Sequence, residues 1–414
     1  MTETLDYSKL SYEATKSIDK KIKKEYGIYF THPLTIQKNL KILDKYMKNV
    51  KSVLEPSFGT GEYINAIING NSNHDNLTIT GIELNKTIYD SVMSNNTFDR
   101  DQIHLLNEDF IQYDFKDRKY DLIIGNPPYF VIKKSDVSQD YLQYFEGRPN
   151  LFVLFILKSL DMLADDGILS FVLPRNFQNS LYFNKVRERI YNNFEILNLF
   201  ECDDNYIETK QKTIILIVMK KEKITKSIVN KNRLFVVEPV IKAFGTRENI
   251  KTIKNLMKGS KTLEQMGFKV SVGKVVWNQN KQILTSDKNK TRLIYSSDIS
   301  DKTLVFKKYS NEAKKNFIDK KGLTGPILVL NRGYGVGDYK FEYCLINKNF
   351  EYLIENHLIC IEHIAQINDE ELIEKYEKII ESFENDKTLE FIKTYFGNNA
   401  INTTELCKIL PIYI

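Results

Sequence analysis

From about residue 26 to residue 221, short apolar runs alternate with amphipathic stretches, and this limits the fold more than any other feature of the chain. Residues 51–54, 77–82, 103–106, 122–124, 168–172, 197–200 and 213–219 read as strands. Between them, 61–68, 87–95, 151–163 and 183–193 read as helices. Strand–helix alternation over this length predicts an α/β domain with a mostly parallel sheet.

A charged, polar stretch from Lys220 to Arg233 breaks this pattern. Beyond it the chain becomes strand-like with polar turns, at 268–277, 292–294, 326–331 and 339–346. Residues 369–396 read as helical, with Leu372, Tyr376, Ile379, Ile380 and Phe383 on one face. The expected division is an N-terminal extension over 1–25, an α/β domain over 26–225 and an α+β domain over 226–414. A length of 414 residues fits two or three domains. With 42% hydrophobic and 27% charged residues, a mainly disordered chain is excluded.

The net charge of +5 is compatible with a polyanionic partner without requiring one. Cys202, Cys344, Cys360 and Cys407 are scattered, without a CxxC, which argues against a disulfide framework or a zinc finger. His357 and His363, with Glu355 and Glu362 nearby, fit no zinc spacing, and no metal is expected. Residues 1–9 are polar, unlike a secretory signal. The longest apolar stretch, 151–163, is interrupted by Lys158, Ser159 and Asp161 and is shorter than the roughly 20 residues of a membrane span. A cytoplasmic protein without a membrane partner is expected.

The sharpest chemical signal is Asn126-Pro127-Pro128-Tyr129, at the carboxyl end of an expected strand, where open α/β sheets bind ligands. Two prolines stiffen the loop and remove two N–H donors, so its backbone offers acceptors only. Asn126 adds a side-chain carbonyl and Tyr129 a flat ring. Two rigid acceptors and an aromatic face suit a planar NH2 on an aromatic base: the acceptors take its hydrogens and the ring stacks on the base. A proline turn with an unrelated Asn and Tyr is the competing reading of the tetrapeptide taken alone.

Three weaker signals follow other strands. Glu55-Pro56-Ser57-Phe58-Gly59-Thr60-Gly61 is a Gly-rich turn between strand and helix, neither G-x-G-x-x-G nor a phosphate-cradling loop. Its acidic Glu55 would repel a pyrophosphate but suit the ammonium of an amino acid moiety. Glu83 stands about twenty positions past Gly61, near the offset at which an acidic residue meets ribose hydroxyls. In Asn107-Glu108-Asp109-Phe110, Asp109 is a candidate acceptor for an adenine amine and Phe110 for packing on its ring. Each has a plain alternative as a turn or helix cap. Together, in sequence order at successive strand ends, they fit a site for an adenosine-containing methionine derivative beside an amino-group clamp.

The chain resembles the gamma-class, TaqI-like adenine-specific DNA methyltransferases. Tyr26-Gly27-Ile28-Tyr29-Phe30-Thr31, the turn from Leu54 to Gly61, Gly81 to Asn85, Asp109-Phe110 and Asn126 to Tyr129 carry the resemblance, in the gamma order. It implies a Rossmann-like S-adenosylmethionine-dependent methyltransferase domain, and a C-terminal α+β target-recognition domain in which Gly273 to Asn278 and Arg332 to Gly335 look like family elements. Residue by residue, it implies that Thr31, Glu55, Pro56, Gly59, Gly61 and Pro128 line the cofactor pocket. Glu83 takes the ribose hydroxyls, and Asp109 and Phe110 hold the adenine. Asn126 and the Pro127 carbonyl hold the target amine, and Tyr129 stacks on the flipped base. Tyr206 is the candidate for the second stacking aromatic, with Phe200 its rival. Lys133, Lys134, Lys210, Lys212 and Arg332 are candidate phosphate contacts, and Tyr334 a base or sugar contact.

The implied reaction is methylation of adenine N6 in double-stranded DNA as part of a restriction-modification system. A monomer is expected, with any endonuclease a separate protein. Cytosine N4, a glutamine side chain of a release factor and an RNA base present the same NH2 problem. A non-catalytic DNA-binding specificity subunit is the reading from outside the enzymes.

Overall fold

The computed structural model describes residues 7–70, 77–95, 98, 101–202, 212–237, 242–331, 341–347, 349–396 and 401–414. They form two compact units, Met1–Ile250 and Lys251–Ile414.

In chain order the first unit carries helices α1 (Lys9–Ser17), α2 (Lys20–Tyr26) and α3 (Pro33–Met47), strand β1 (Ser52–Glu55), α4 (Glu62–Gly70), β2 (Thr78–Ile82), α5 (Lys86–Ser94), β3 (Ile103–Leu106) and β4 (Tyr120–Gly125). There follow α6 (Gln139–Leu142), α7 (Leu151–Asp161), β5 (Leu163–Pro174), α8 (Asn184–Asn193), β6 (Phe194–Cys202), β7 (Thr213–Lys220) and α9 (Lys226–Asn232). Seven strands make one sheet in the order β3-β2-β1-β4-β5-β7-β6. Pairing is parallel from β3 to β5, and β7 runs antiparallel to both of its neighbours. The expected α/β class, with a mostly parallel Rossmann-like sheet, is what the first unit adopts. Strand order reverses between β1 and β4, which opens a crevice at their carboxyl ends.

The alternation of side chains along each strand divides the core into two layers. Val53, Leu122, Ile124, Ile168, Val172, Ile215 and Ile217 pack with Ile36 and Leu43 of α3 and with Tyr63, Ile64 and Ile67 of α4. Leu54, Ile123, Leu169, Phe171, Leu216 and Val218 face the other way, onto Phe152, Val153 and Ile156 of α7 and Val186 and Ile190 of α8. Both faces are covered, which is why these strands are continuously apolar. Residues 163–167, the first of them expected in the preceding helix, open the long strand β5. The helices α1 to α3 were not legible as such in the sequence, and α3 starts at a proline, where the missing N–H costs nothing.

Helix α9 and the strand pair Val236–Val237 and Ala243–Phe244, expected past the 225/226 boundary, lie in the first unit. Asn232 accepts from the Ile196 amide at 2.8 Å and donates to the Phe194 carbonyl at 2.9 Å. The buried Arg187 donates to the carbonyls of Phe177, Ser180 and Lys242.

The second unit is α+β. A four-stranded antiparallel sheet orders Phe268–Val272, Leu358–His363, Ile327–Asn331 and Tyr343–Ile346. A second sheet orders Leu284–Thr285, Phe317–Ile318, Thr291–Ile294 and Tyr352–Ile354. The helical region expected over 369–396 is Asp369–Phe383, Asp386–Phe391 and a π-helical turn Ile392–Phe396, with Asn385 capping the second helix. The strand expected over 268–277 ends at Val272; the next residue, Gly273, passes so close to the Glu355 carbonyl that a Cβ there would lie 2.2 Å from it. Among the described residues, no helix is long and apolar enough to cross a membrane.

Ile123 sits in β4 at the middle of the sheet with no exposed surface. Ile123→Ala is expected to cost about 2–5 kcal/mol, read as a lower denaturation midpoint with an unchanged slope; a loss under about 1 kcal/mol would contradict this packing.

Candidate active site

Four strands deliver their successors to one edge of the sheet. β1 ends at Glu55, β2 is followed by Glu83, β3 by Asn107 to Phe110 and β4 by Asn126. A cavity of about 280 Å³ opens there. Its walls include Thr31, Glu55, Pro56, Gly59, Glu83, Asp109, Phe110, Asn126 and Pro128. So nine of the residues expected from sequence share one space, though they span almost a hundred positions of chain.

Three of the residues expected to hold the cofactor or the target amine lie outside that wall. Gly61 has φ +81°, and a Cβ there would meet the Phe98 ring at 2.6 Å; it shapes the turn without lining the cavity. Pro127 is buried behind the loop. The Tyr129 ring packs edge-on against Phe152 at 5.8 Å. Its hydroxyl lies 2.6 Å from Asn126 Oδ1 and 2.8 Å from the Val172 carbonyl, one proton between two acceptors. Lys133 and Lys134 are exposed just beyond Ile132, which lines the cavity, and the Lys133 amide donates to Asp136. Phe200, on β6, packs against the α3–α4 layer of the core. Tyr206, Lys210, Arg332 and Tyr334 lie outside the described residues.

Asn126 is held at both ends. Nδ2 donates to the Tyr29 carbonyl at 3.1 Å, so Oδ1 is the acceptor end of the amide. Its backbone carbonyl accepts from Ser57 Oγ at 3.2 Å. Gly125, with φ +153°, brings the loop against Glu55 and Pro56. The segment 27–31 lies on the same loop: Gly27 has φ +63°, and a Cβ there would come within 2.9 Å of the Tyr129 amide nitrogen. Phe30 in turn covers Gly59, whose added Cβ would stand 3.3 Å from the ring. Sequence reading placed Thr31 in the cofactor pocket but missed that Tyr29 orients Asn126, because a backbone carbonyl leaves no mark in the sequence.

Both carboxylates are buried. Glu83 Oε2 accepts from the Gly59 amide at 3.0 Å and Oε1 from the Asn85 amide at 2.7 Å. Burial still holds its carboxyl above the ordinary range, with those amides working against the shift. Glu55 is pushed well above the ordinary value, first by burial, with Glu83 and Glu62 adding like charge. Its Oε2 is buried without a hydrogen-bond partner among the described residues. A buried acceptor with nothing to accept is expensive, and a cationic donor arriving in the cavity would relieve it.

On the β3 side, Asp109 Oδ1 accepts from the Ile111 amide at 2.8 Å, which shapes the turn. Phe110 is buried against Phe155 at 4.8 Å. Lys158 of α7 donates to the carbonyls of Phe110, Ile111 and Tyr113. It was missed as a site residue; its only sequence mark is a lysine inside a largely apolar helix.

Elsewhere, His357 Nδ1 is 2.6 Å from Glu355 and His363 Nδ1 is 2.9 Å from the Ala365 carbonyl. Among the described residues no group of three metal-ligating side chains forms.

Residues 26–207 match the family model described as Eco57I restriction-modification methylase. These residues are an Eco57I restriction-modification methylase domain. The chain is 33% identical, over 207 residues, to modification methylase CviBIII of Paramecium bursaria Chlorella virus NC1A, covering 48% of this chain and 52% of that protein. The chain thus spans about half the length of that relative. Type II methyltransferase M.CvrRI of Paramecium bursaria Chlorella virus XZ-6E is 25% identical over 413 residues, 97% of this chain and 98% of its own. Among solved structures, the cryoEM structure of the DrdV–DNA complex shares the fold with a TM-score of 0.55 at 12% identity, covering 98% of this chain and 57% of that one.

A methylase of this family and fold takes its methyl group from S-adenosylmethionine. The cavity fits that group: an unpartnered buried carboxylate oxygen for an ammonium, a second carboxylate, and an apolar wall of Phe110, Leu154 and Phe155.

The raised Glu55 pKa has a consequence for stability. The folded protein keeps a proton that the unfolded chain releases, so the stabilisation is full below the ordinary 4.5 and is lost as pH rises through the raised folded value. In cofactor-free protein, Glu55→Gln removes this dependence. The Tm difference between variant and wild type is therefore expected to move in the variant's favour from about pH 4 to about pH 8. A difference that stays flat over that range would show that Glu55 is not held protonated.

Proposed function

We propose that this chain is a site-specific DNA methyltransferase that moves the methyl group of S-adenosylmethionine to N6 of an adenine rotated out of duplex DNA. One observation carries the reading: an Asn126 amide whose oxygen is fixed as acceptor stands on a donor-poor double-proline loop, at a cavity built from buried carboxylates and aromatic rings.

When bound, S-adenosylmethionine supplies an electrophilic methyl on a sulfonium. Asn126 Oδ1 and the Pro127 carbonyl accept the two hydrogens of the target NH2. Holding both would draw the nitrogen toward a tetrahedral shape and concentrate its lone pair for attack on that methyl. The methylated nitrogen would then lose its proton to water, because neither acceptor of the clamp is a base. Tyr129 offers its ring to the base. Glu55 receives the ammonium of the cofactor, Glu83 its ribose hydroxyls, and Asp109 and Phe110 its adenine. A base inside a duplex cannot reach such a loop, so it turns out of the stack. Lys133 and Lys134 are exposed near the cavity and suit phosphate contacts, and the second unit recognises the target sequence. The full-length likeness to a type II methyltransferase, which runs through the second unit, favours DNA over an RNA or protein acceptor.

Incubation with labelled cofactor and duplex DNA, RNA or release factor tests the substrate. Label is expected in DNA, on N6-methyladenine; label only in RNA or protein, or on cytosine N4, would overturn the reading. Asn126→Ala is expected to lower methylation at least about 10²-fold while DNA binding survives. Asp109→Ala is expected to weaken cofactor binding about tenfold by calorimetry, and an unchanged affinity would move the adenine site elsewhere.

A further inference from the structure

The chain from Asp109 to Tyr113 reverses sharply after β3, with the amides of Gln112 and Tyr113 both donating to the Asp109 carbonyl. That leaves the carbonyls of Phe110, Ile111 and Tyr113 to be satisfied. All three turn to one atom: Lys158 Nζ lies 2.7, 2.9 and 2.9 Å from them. An ammonium has three N–H donors, and here each has a backbone acceptor. The rings of Phe110 and Phe115 stand 5.2 Å from the same nitrogen. Lysine in an apolar helix loses hydration, and burial does pull its pKa down, while Asp109 and Asp114 oppose that shift.

Lys158 has no place on the cavity wall, but two of the three residues whose carbonyls it holds, Phe110 and Ile111, do. Asp109, Phe110 and Ile111 line the cavity, and so do Leu151, Leu154 and Phe155 from its own helix. Phe155 is one turn before Lys158 and packs on Phe110. One side chain therefore ties the loop after β3 to a helix that lines the same recess.

We propose that Lys158 is a positioning residue for cofactor binding: by collecting three carbonyls it sets the Asp109–Phe110 turn at the adenine end of the recess. The proposal rests on the reading that this cavity holds S-adenosylmethionine. It makes no contact with the amine clamp at Asn126, so its influence falls on cofactor affinity and not on the transfer step.

The test compares wild type with Lys158→Met, the milder Lys158→Gln and the charge-retaining Lys158→Arg, each first shown to be folded by circular dichroism. Calorimetry with S-adenosylhomocysteine and steady-state kinetics on duplex DNA are the readouts. Met is expected to bind the product about tenfold more weakly and to raise KM for S-adenosylmethionine to match, with Gln between the two and Arg largely rescued. KM for DNA and kcat at saturating cofactor are expected to stay within about twofold. If Met does not fold, Gln is read in its place against the same expectation. Unchanged affinity in a folded variant overturns the proposal, and so does an equal loss in cofactor affinity, DNA affinity and kcat, which is the mark of general disruption. A wild-type protein that binds no S-adenosylhomocysteine overturns instead the cofactor reading beneath it.

Discussion

The hydrogen bond from Asn126 Nδ2 to the Tyr29 carbonyl is the constraint on which the site depends. An amide can present either end to a ligand, and only the oxygen end can hold an amine. By engaging the nitrogen, Tyr29 settles the orientation before any substrate arrives. The same contact brings the segment after α2 over the carboxyl edge of β1 and β4, where Gly27 and Gly59 leave room for close passage. The clamp and the cofactor recess therefore share a wall and are built together.

The recess is costly to keep. Glu55 and Glu83 are buried near one another, and a lone carboxylate oxygen without a partner is among the least favourable features a core can contain. Glu83 offsets part of its cost with two backbone amides, while Glu55 has an oxygen left over. A scaffold whose strands are apolar on both faces supplies the stability against which such a site can be held. The unmet hydrogen bonding is then available to a cationic ligand.

Much of the site was legible because it is local. A Gly-rich turn, an acidic residue after the next strand and a double proline after the fourth are each written in a few consecutive residues, and each comes at a strand end. What escaped were partners distant in the chain: Tyr29 and Asn126 are 97 positions apart, and Lys158 and Phe110 are 48 apart. Gly61 shows the limit in the other direction. Its place in a Gly-rich turn suggested a ligand, but its φ and the Phe98 ring beside it explain the glycine without one. Tyr129 likewise reads as a free stacking ring, while in the fold its hydroxyl is anchored between Asn126 and Val172.

The sequence by itself determined the class of sheet, since apolar alternation is a nearest-neighbour property that decides which faces must be buried. It also determined the chemistry on offer, since donors and acceptors belong to residue types. Tertiary structure alone decided which of these groups meet, which end of an amide points outward, and how helices α3, α4, α7 and α8 cover the two faces of the sheet. Those outcomes come from backbone groups and packing between elements far apart in the chain, and a carbonyl or a shared wall has no letter of its own.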